Sequence, residues 1–168
     1  FEYDKLKWMN SHYIKMLPME ELKERLKPYL SQYNLDELTD AQYTKMVEIT
    51  REPLTLLSDI TDAVPYFFGK DVHIDEETQT KTLDTEVSQN VLKDFVPKAQ
   101  TWDWTDENLH EKLADFRAEW KEKGVKPKVT MWAIRAAITG RTCGADMVGI
   151  LDILGKEKSL YRAQKAIK

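Results

Sequence analysis

The chain has 168 residues, with 25 Lys plus Arg against 29 Asp plus Glu and a formal net charge of −4. Five Trp, seven Tyr and five Phe are too much aromatic surface for a chain that stays solvated, and the length suffices for one well-packed domain or two small lobes. The longest apolar stretch, residues 63–68, contains a proline and falls far short of the roughly 20 residues that a bilayer needs, Cys143 has no second cysteine to pair with, and His12, His73 and His110 show no zinc-ligand spacing. The composition therefore predicts a metal-free chain of a reduced, cytoplasmic compartment, with no membrane partner. Phe1 in place of an initiator Met adds the expectation of a piece excised from something longer.

Read in chain order, the pattern is helical. Tyr3, Leu6, Tyr13 and Leu17 predict one apolar side of an opening helix that stops at Pro18, and Trp8 is expected to be buried as a large helical aromatic. Leu22, Leu26 and Leu30 form the stripe of a second helix, weakened in its last turn by Pro28. Thr39 and Gln42 have the spacing of a capping box and predict a third helix through Tyr43, Met46, Val47 and Thr50, kinked or ended at Pro53. Leu57, Ile60, Val64 and Phe67 then mark another helix or pair of helical turns.

Residues 69–84 turn polar and predict a surface loop or hinge between two helical lobes, 1–84 and 85–168. Thr85 caps the next helix, which is expected to bury Val87, Val91, Leu92 and Phe95 before Pro97. After WDW, Thr105 is the N-cap of the clearest helix, with Leu109, Leu113, Phe116 and Trp120 as its stripe and Gly124 as its end. A compact helix, MWAIRAAITG, carries Ala133, Ala136 and Ala137 for close approach and ends at Gly140. The loop RTCGAD leads to MVGILDIL, which Gly155 ends, and SLYRAQKAI follows. About nine helices and no run of two-residue alternation predict an all-α, two-lobed helical bundle.

Charge is unevenly spread. Residues 1–120 carry 14 basic and 25 acidic side chains, and residues 121–168 carry 11 basic and 4 acidic ones. A basic block of this kind points to a polyanion, most often nucleic acid; the alternative is a solvated basic helical face.

Catalytic signatures are missing. There is no G-x-S-x-G or H-E-x-x-H, Cys143 has no histidine near it in sequence, and Gly149, Gly155 and Lys156 depart from phosphate-loop spacing, with Glu157 where Ser or Thr should hold magnesium. In MWAIRAAITGRTCGAD, by contrast, Arg135 and Arg141 flank a helix end, and a glycine-containing loop delivers the backbone donors of a new helix N-terminus. Guanidinium planes and closely approachable main chain suit unstacked RNA bases. On the residues alone, Arg135 paired with a core carboxylate and Gly144 simply turning the chain remains the competing reading.

From Thr101 onward, WDWTDENLHEKL, KPKVTMWAIRAAITG, the short glycine loop and ILDILGKEKSLYRAQKAI resemble, in that order, the C-terminal anticodon-binding region of bacterial-type glutamyl-tRNA synthetases. FEYDKLKWMNSHYIK and SDITDAVPYFF resemble the start and the middle helix of the same region, so the likeness covers almost the whole chain.

The resemblance implies a helical module that holds the anticodon arm of the glutamate tRNA within a class I ligase. The ATP- and magnesium-dependent catalytic half, with its H-x-G-H and K-M-S-K-S type motifs, is absent, so this chain is expected to bind without aminoacylating. Arg135 is implied to face the anticodon loop, with Arg141, Gly144, Ala145 and Met147 around it; relatives carry Thr, Pro and Leu at the last three positions, which leaves main-chain and apolar contact at Gly144. A further family arginine that discriminates the third anticodon base aligns with Glu52, one residue from Arg51, so Arg51 is the candidate there. Lys5, Lys7, Asn10 and Lys128 are implied to touch the tRNA backbone. The expected partners are tRNA(Glu), with tRNA(Gln) as an open second, and no DNA; the expected state is a monomer. The alternative function is a helical protein–protein interaction module without RNA binding.

Overall fold

The structure, a computed structural model, describes residues 3–168; Phe1 and Glu2, which open the FEYDKL motif, lie outside them. Nine α-helices occur among the described residues, with no strand: α1 (Tyr3–Met16), α2 (Met19–Leu26), α3 (Asp40–Thr50), α4 (Ile60–Ala63), α5 (Glu76–Thr78), α6 (Glu86–Gln100), α7 (Asp106–Glu122), α8 (Pro127–Thr139) and α9 (Met147–Ala166). They group into two compact units that divide between Phe68 and Gly69.

In the first unit α2 is carried on by a 3-10 turn at Lys27–Leu30, as Pro28 requires, and Leu22, Leu26 and Leu30 are fully buried. Each contributes about 1.5–3 kcal/mol of burial. The capping box forms as the sequence predicts: Thr39 Oγ1 accepts from the Gln42 N–H at 3.1 Å, and Gln42 Oε1 accepts from the Thr39 N–H at 2.8 Å. This fixes the start of α3, whose Tyr43, Met46, Val47 and Thr50 are buried, and α3 packs on α2. The Tyr43 hydroxyl donates to the Lys23 carbonyl at 2.8 Å, and the Lys23 ammonium reaches Asp40 at 3.0 Å. Past Pro53 the chain makes short turns, Leu57–Asp59, α4 and Pro65–Phe67, which bury Ile60, Val64 and Phe67 and leave Leu57 half-buried.

α1 departs from expectation. Ile14 and, just beyond the helix, Leu17 are buried, but Tyr3, Leu6 and Tyr13 are exposed, and Trp8 is 66% exposed, its ring stacked on His12 at 5.3 Å rather than placed in a core. The apolar side that the sequence marks has no cover from these residues.

The second unit contains the segment read as a hinge. Residues 69–84 are polar, but Asp75 caps α5 by accepting from the Thr78 N–H at 2.7 Å, a π-turn at Gln79–Leu83 follows, Leu83 is fully buried, and Ile74 packs on Leu83, Leu92, Ala136 and Ala137. These contacts help bind the stretch to the second unit, and the division falls at residue 69 instead of 85.

α6 also runs on through Pro97 to Gln100. Pro97 and Lys93 are both exposed, so the Lys93 carbonyl that loses its helical donor faces water, while Phe95, Val96 and Ala99 hold the opposite side. Val87 is exposed, one turn outside the buried stripe.

α7 buries Leu109, Leu113, Phe116 and Trp120 as its pattern predicts, and Phe95, Trp102 and Phe116 meet edge to face at 5.6–6.4 Å. Ala133, Ala136 and Ala137 let α8 pack closely on α6 and α9. Gly155 breaks the helical dihedrals of α9 at φ 81°, ψ 164°. Gly140, at φ 77°, ends α8 and lies so close to residue 73 that a Cβ would overlap the His73 carbonyl oxygen.

Two outcomes test this packing. Left-handed alanine costs about 1–2 kcal/mol by itself. Gly140→Ala must in addition displace the His73 backbone. Urea denaturation should therefore show a loss for Gly140→Ala beyond the roughly 2 kcal/mol that the left-handed backbone alone accounts for; a loss within that range would mean the approach to His73 opens freely. Burial, aided by the Glu24 carboxylate, pushes the Tyr43 phenol up to about 12. A pKa raised in the folded state gives stability that is complete below the unfolded value near 10 and is lost as pH rises from there toward 12. Tyr43→Phe should flatten that loss in alkaline melts of the protein.

Candidate nucleic-acid interface

The carboxyl end of α8, the loop after it and the start of α9 form one continuous feature of the second unit. Gly140 turns the chain out of α8, its N–H still bonded to the Ala136 carbonyl at 2.9 Å. Thr139 Oγ1 lies 2.8 Å from the Arg135 carbonyl and 3.2 Å from both the N–H and the carbonyl of Arg141, tying the first loop residue to the last helical turn. At the other end Asp146 caps α9, with Oδ2 accepting from the Gly149 N–H at 3.1 Å.

Between these fixed ends Arg135 acts as a strut. Its Nη1 donates to the Ala145 carbonyl at 2.7 Å, so the guanidinium stands against the loop main chain where the sequence left open a carboxylate partner or an RNA base. Arg135 and Arg141 are half-buried, Gly144 is exposed with φ 148°, and Ala145 is half-buried. The loop thus offers main chain at Gly144 and Ala145 to an approaching ligand. Met147 differs: its side chain is buried at the first turn of α9 and supports the loop from below.

The structure adds one exposed side chain to the candidates, Trp132. Lys128, Trp132 and Arg135 are spaced by four and three residues and share one face of α8. Trp132 is 41% exposed, and the Lys128 ammonium sits 5.4 Å from its ring centroid. The face presents cation, aromatic surface and guanidinium in a line that ends at the Gly144–Ala145 backbone. The signal was present in the spacing, but Trp132 is flanked by residues of a buried helix and reads as core.

The remaining candidates lie in the first unit. Arg51, at the end of α3, spends Nη2 on the carbonyls of Ile14, Lys15 and Leu17 at 2.6, 2.8 and 2.9 Å, satisfying orphan acceptors at the end of α1. Glu52 is exposed and pairs with Lys15 at 3.2 Å. Lys5 and Lys7 are exposed on α1, with Lys7 4.7 Å from the Tyr3 ring, and Asn10 lines a groove with Tyr13 and Tyr29. The structure therefore brings Arg135, Arg141, Gly144, Ala145 and Met147 together, with Lys128 two turns away on the same helix, and places Arg51, Lys5, Lys7 and Asn10 in another group around α1.

Residues 21–167 match the family described as anticodon binding domain. The chain belongs to that family. Over 169 residues it is 34% identical to a glutamate–tRNA ligase of Thermus thermophilus, a match that takes in 99% of this chain and 35% of the relative. A glutamate–tRNA ligase of Francisella philomiragia is 34% identical over 171 residues, covering all of this chain and 36% of its own length. The crystal structure of a glutamate tRNA ligase from Elizabethkingia meningosepticum in complex with its amino acid superposes with a TM-score of 0.82 at 23% identity, over 99% of this chain and 32% of that one. The chain spans about a third of the length of the curated relatives it matches.

No three His, Cys, Asp or Glu side chains among the described residues come together to hold a metal ion, and no helix among them is long and apolar enough to cross a membrane.

Arg135→Ala removes the strut. A single charge-assisted hydrogen bond of this type is worth about 1.5–3 kcal/mol. Amide exchange should accelerate over residues 141–146 of the variant while α6 and α7 keep their protection; unchanged exchange in the loop would show that Thr139 and Asp146 hold it alone.

Proposed function

We propose that this anticodon binding domain holds the anticodon arm of a transfer RNA, with the Lys128–Trp132–Arg135 face and the Gly144–Ala145 main chain as the surface that meets the unstacked bases. The observation that carries the reading is the alignment of an exposed indole and two cations on one helix face, leading to the exposed main chain of Gly144. Aromatic faces stack bases of any identity, and guanidinium groups and main-chain donors add the hydrogen bonds that discriminate among them.

Arg135 serves in two ways. Nη1 positions the Ala145 carbonyl, and the guanidinium, held by that bond, brings its positive charge beside the loop. Arg141 adds charge at the loop's entry, and Met147 acts beneath the loop. In the first unit Lys5, Lys7 and Asn10 are backbone contacts, and Arg51 shapes that surface by holding the end of α1. Because the relatives carry the name glutamate–tRNA ligase, the RNA is the tRNA for glutamate, with the glutamine tRNA as a second candidate, and the protein works as a monomer in the cytoplasm. Attachment of glutamate with ATP and magnesium belongs to a ligase of the relatives' full length.

Titration of the two tRNAs and of anticodon-swapped versions tests the proposal. Trp132→Ala should weaken binding by about 1–3 kcal/mol with little dependence on anticodon identity. Arg135→Ala should cost a similar amount and relax selectivity at one anticodon position, and Lys128→Ala should lower the salt slope by about 1. Binding that is indifferent to salt and to all three substitutions would favour a protein-interaction module instead.

A further inference from the structure

Between the 69–84 segment and the last turns of α9 the second unit holds a cavity of about 320 Å³. Its floor is aliphatic. Val72, Ile74, Ala137 and Ala166 line it, and Ile74 and Ala166 pack there on the buried cluster of Leu83, Leu92, Ala136 and Ala137. Its charged lining is mostly cationic, with Arg162, Lys165 and Lys168 set against Asp71. Two ion pairs join the walls: Lys165 Nζ reaches Asp71 at 2.7 Å, and Lys168 Nζ reaches Asp84 at 2.6 Å. Gln79 Nε2 donates to Asp84 at 2.7 Å, and the π-turn that Gln79 opens, a geometry frequent at functional sites, brings this residue to the cavity.

We propose that this cavity binds a small aliphatic carboxylate. Its size lies at the lower end of the range for ligand sites and holds roughly ten water-sized groups at about 30 Å³ each. No aromatic side chain is among the described residues that line it, so a flat base finds nothing to stack on, whereas aliphatic walls suit a short hydrocarbon chain. The cations select an anionic head. An ammonium carries three donors, so Lys165 and Lys168 can each keep an aspartate and still donate to a ligand carboxylate. Arg162, 2% exposed, adds positive charge from inside the protein, where solvent screens it less. A singly charged head fits better than a phosphate dianion, because Asp71 and Asp84 already stand beside the lysines and repel further negative charge. Ala137 follows Arg135 by two positions, about 200° around α8, so the cavity is on another side of the helix from the Lys128–Trp132–Arg135 face, and the proposal is independent of the RNA reading.

Titration of the isotope-labelled chain with sodium hexanoate at neutral pH, followed through its backbone amide signals, tests this with no RNA present. Shifts should saturate at residues 71–79, 137 and 162–168 with a Kd of about 1 mM, the scale open to a ligand of eight heavy atoms. 1-Hexanol, hexylammonium and inorganic phosphate should each bind about tenfold or more weakly. Lys168→Gln removes a cation at an exposed position, and Ala166→Leu fills the space. Each should weaken hexanoate about tenfold or more, while unshifted α7 amides report an intact fold. If Ala166→Leu disturbs α7, Lys168→Gln decides alone, and unchanged affinity in that variant overturns the proposal. Shifts that stay linear to about 20 mM hexanoate overturn it as well, as does saturation centred on other residues. Hexanol or hexylammonium acting as well as hexanoate removes the anionic head from the account, and phosphate binding equally well overturns it in favour of a plain anion site.

Discussion

The end of a helix leaves carbonyls without donors, and the second unit is organised around how α8 meets that requirement. Arg162, 2% exposed, reaches in from α9 and donates from Nη1 to the Ile138 carbonyl at 2.9 Å, from Nη2 to the Gly69 carbonyl at 2.9 Å and from Nε to the Lys70 carbonyl at 3.1 Å. One planar fork thereby ties the last turn of α8, the second half of α9 and the entry of the 69–84 segment. Burying a guanidinium is costly unless its hydrogens are satisfied, and three carbonyls from two separate stretches are an arrangement that only the assembled unit supplies. Gly140 completes it, because the absence of a side chain lets the His73 backbone close against the same helix end.

That constraint reaches the loop proposed to meet the RNA. The first residues after Gly140 leave a helix end that cannot move without breaking the Arg162 bonds, and the last are fixed by the Asp146 cap. Arg135 then spans the interval to Ala145. A recognition surface held by packed helices at both ends loses little conformational entropy on binding, so the ligand's interactions are realised as affinity instead of being spent on ordering the loop. Gly144 contributes by leaving the backbone approachable at a point where its neighbours are already placed.

Much of the fold is written locally. The Thr39–Gln42 and Thr105 caps, the leucine stripe at residues 22, 26 and 30, and the Leu109–Trp120 pattern each combine a start signal with a buried periodicity, and all appear in the structure. The departures share one cause, which is that burial is decided by partners distant in sequence. Residues 69–84 look like a hinge because Ile74 and Leu83 are two apolar positions in a polar stretch, and their destination on α8 lies more than fifty residues away. Pro97 looks like a stop because the sequence does not show that the orphaned carbonyl faces water. α1 presents a true apolar stripe, but this chain covers only its edge. In the candidate site, Arg135 and the glycine loop were legible through helix-end chemistry and family likeness, whereas the Ala145 strut and the exposure of Trp132 depend on tertiary geometry.

The division at residue 69 also changes what the charge asymmetry means. Counted by unit, Gly69–Lys168 holds 17 basic and 17 acidic side chains, so the basic C-terminal block is not a basic lobe set against an acidic one. The second unit is neutral in sum and polarised in sequence, with acids concentrated in residues 69–120 and cations in 121–168. Several cations are already neutralised, Lys165 by Asp71 at 2.7 Å and Lys168 by Asp84 at 2.6 Å, and Lys98 by Asp94 and Glu119. A polyanion approaching such a unit would be drawn by a local field and not by net charge, and the field falls off within about a Debye length of roughly 8–10 Å. Attraction of that range acts only close to a local excess of cations, while the neutral total limits non-specific adhesion. For the nucleic-acid partner proposed above, selectivity would then have an electrostatic component before a base is touched, set by where α8 and its loop stand on the unit.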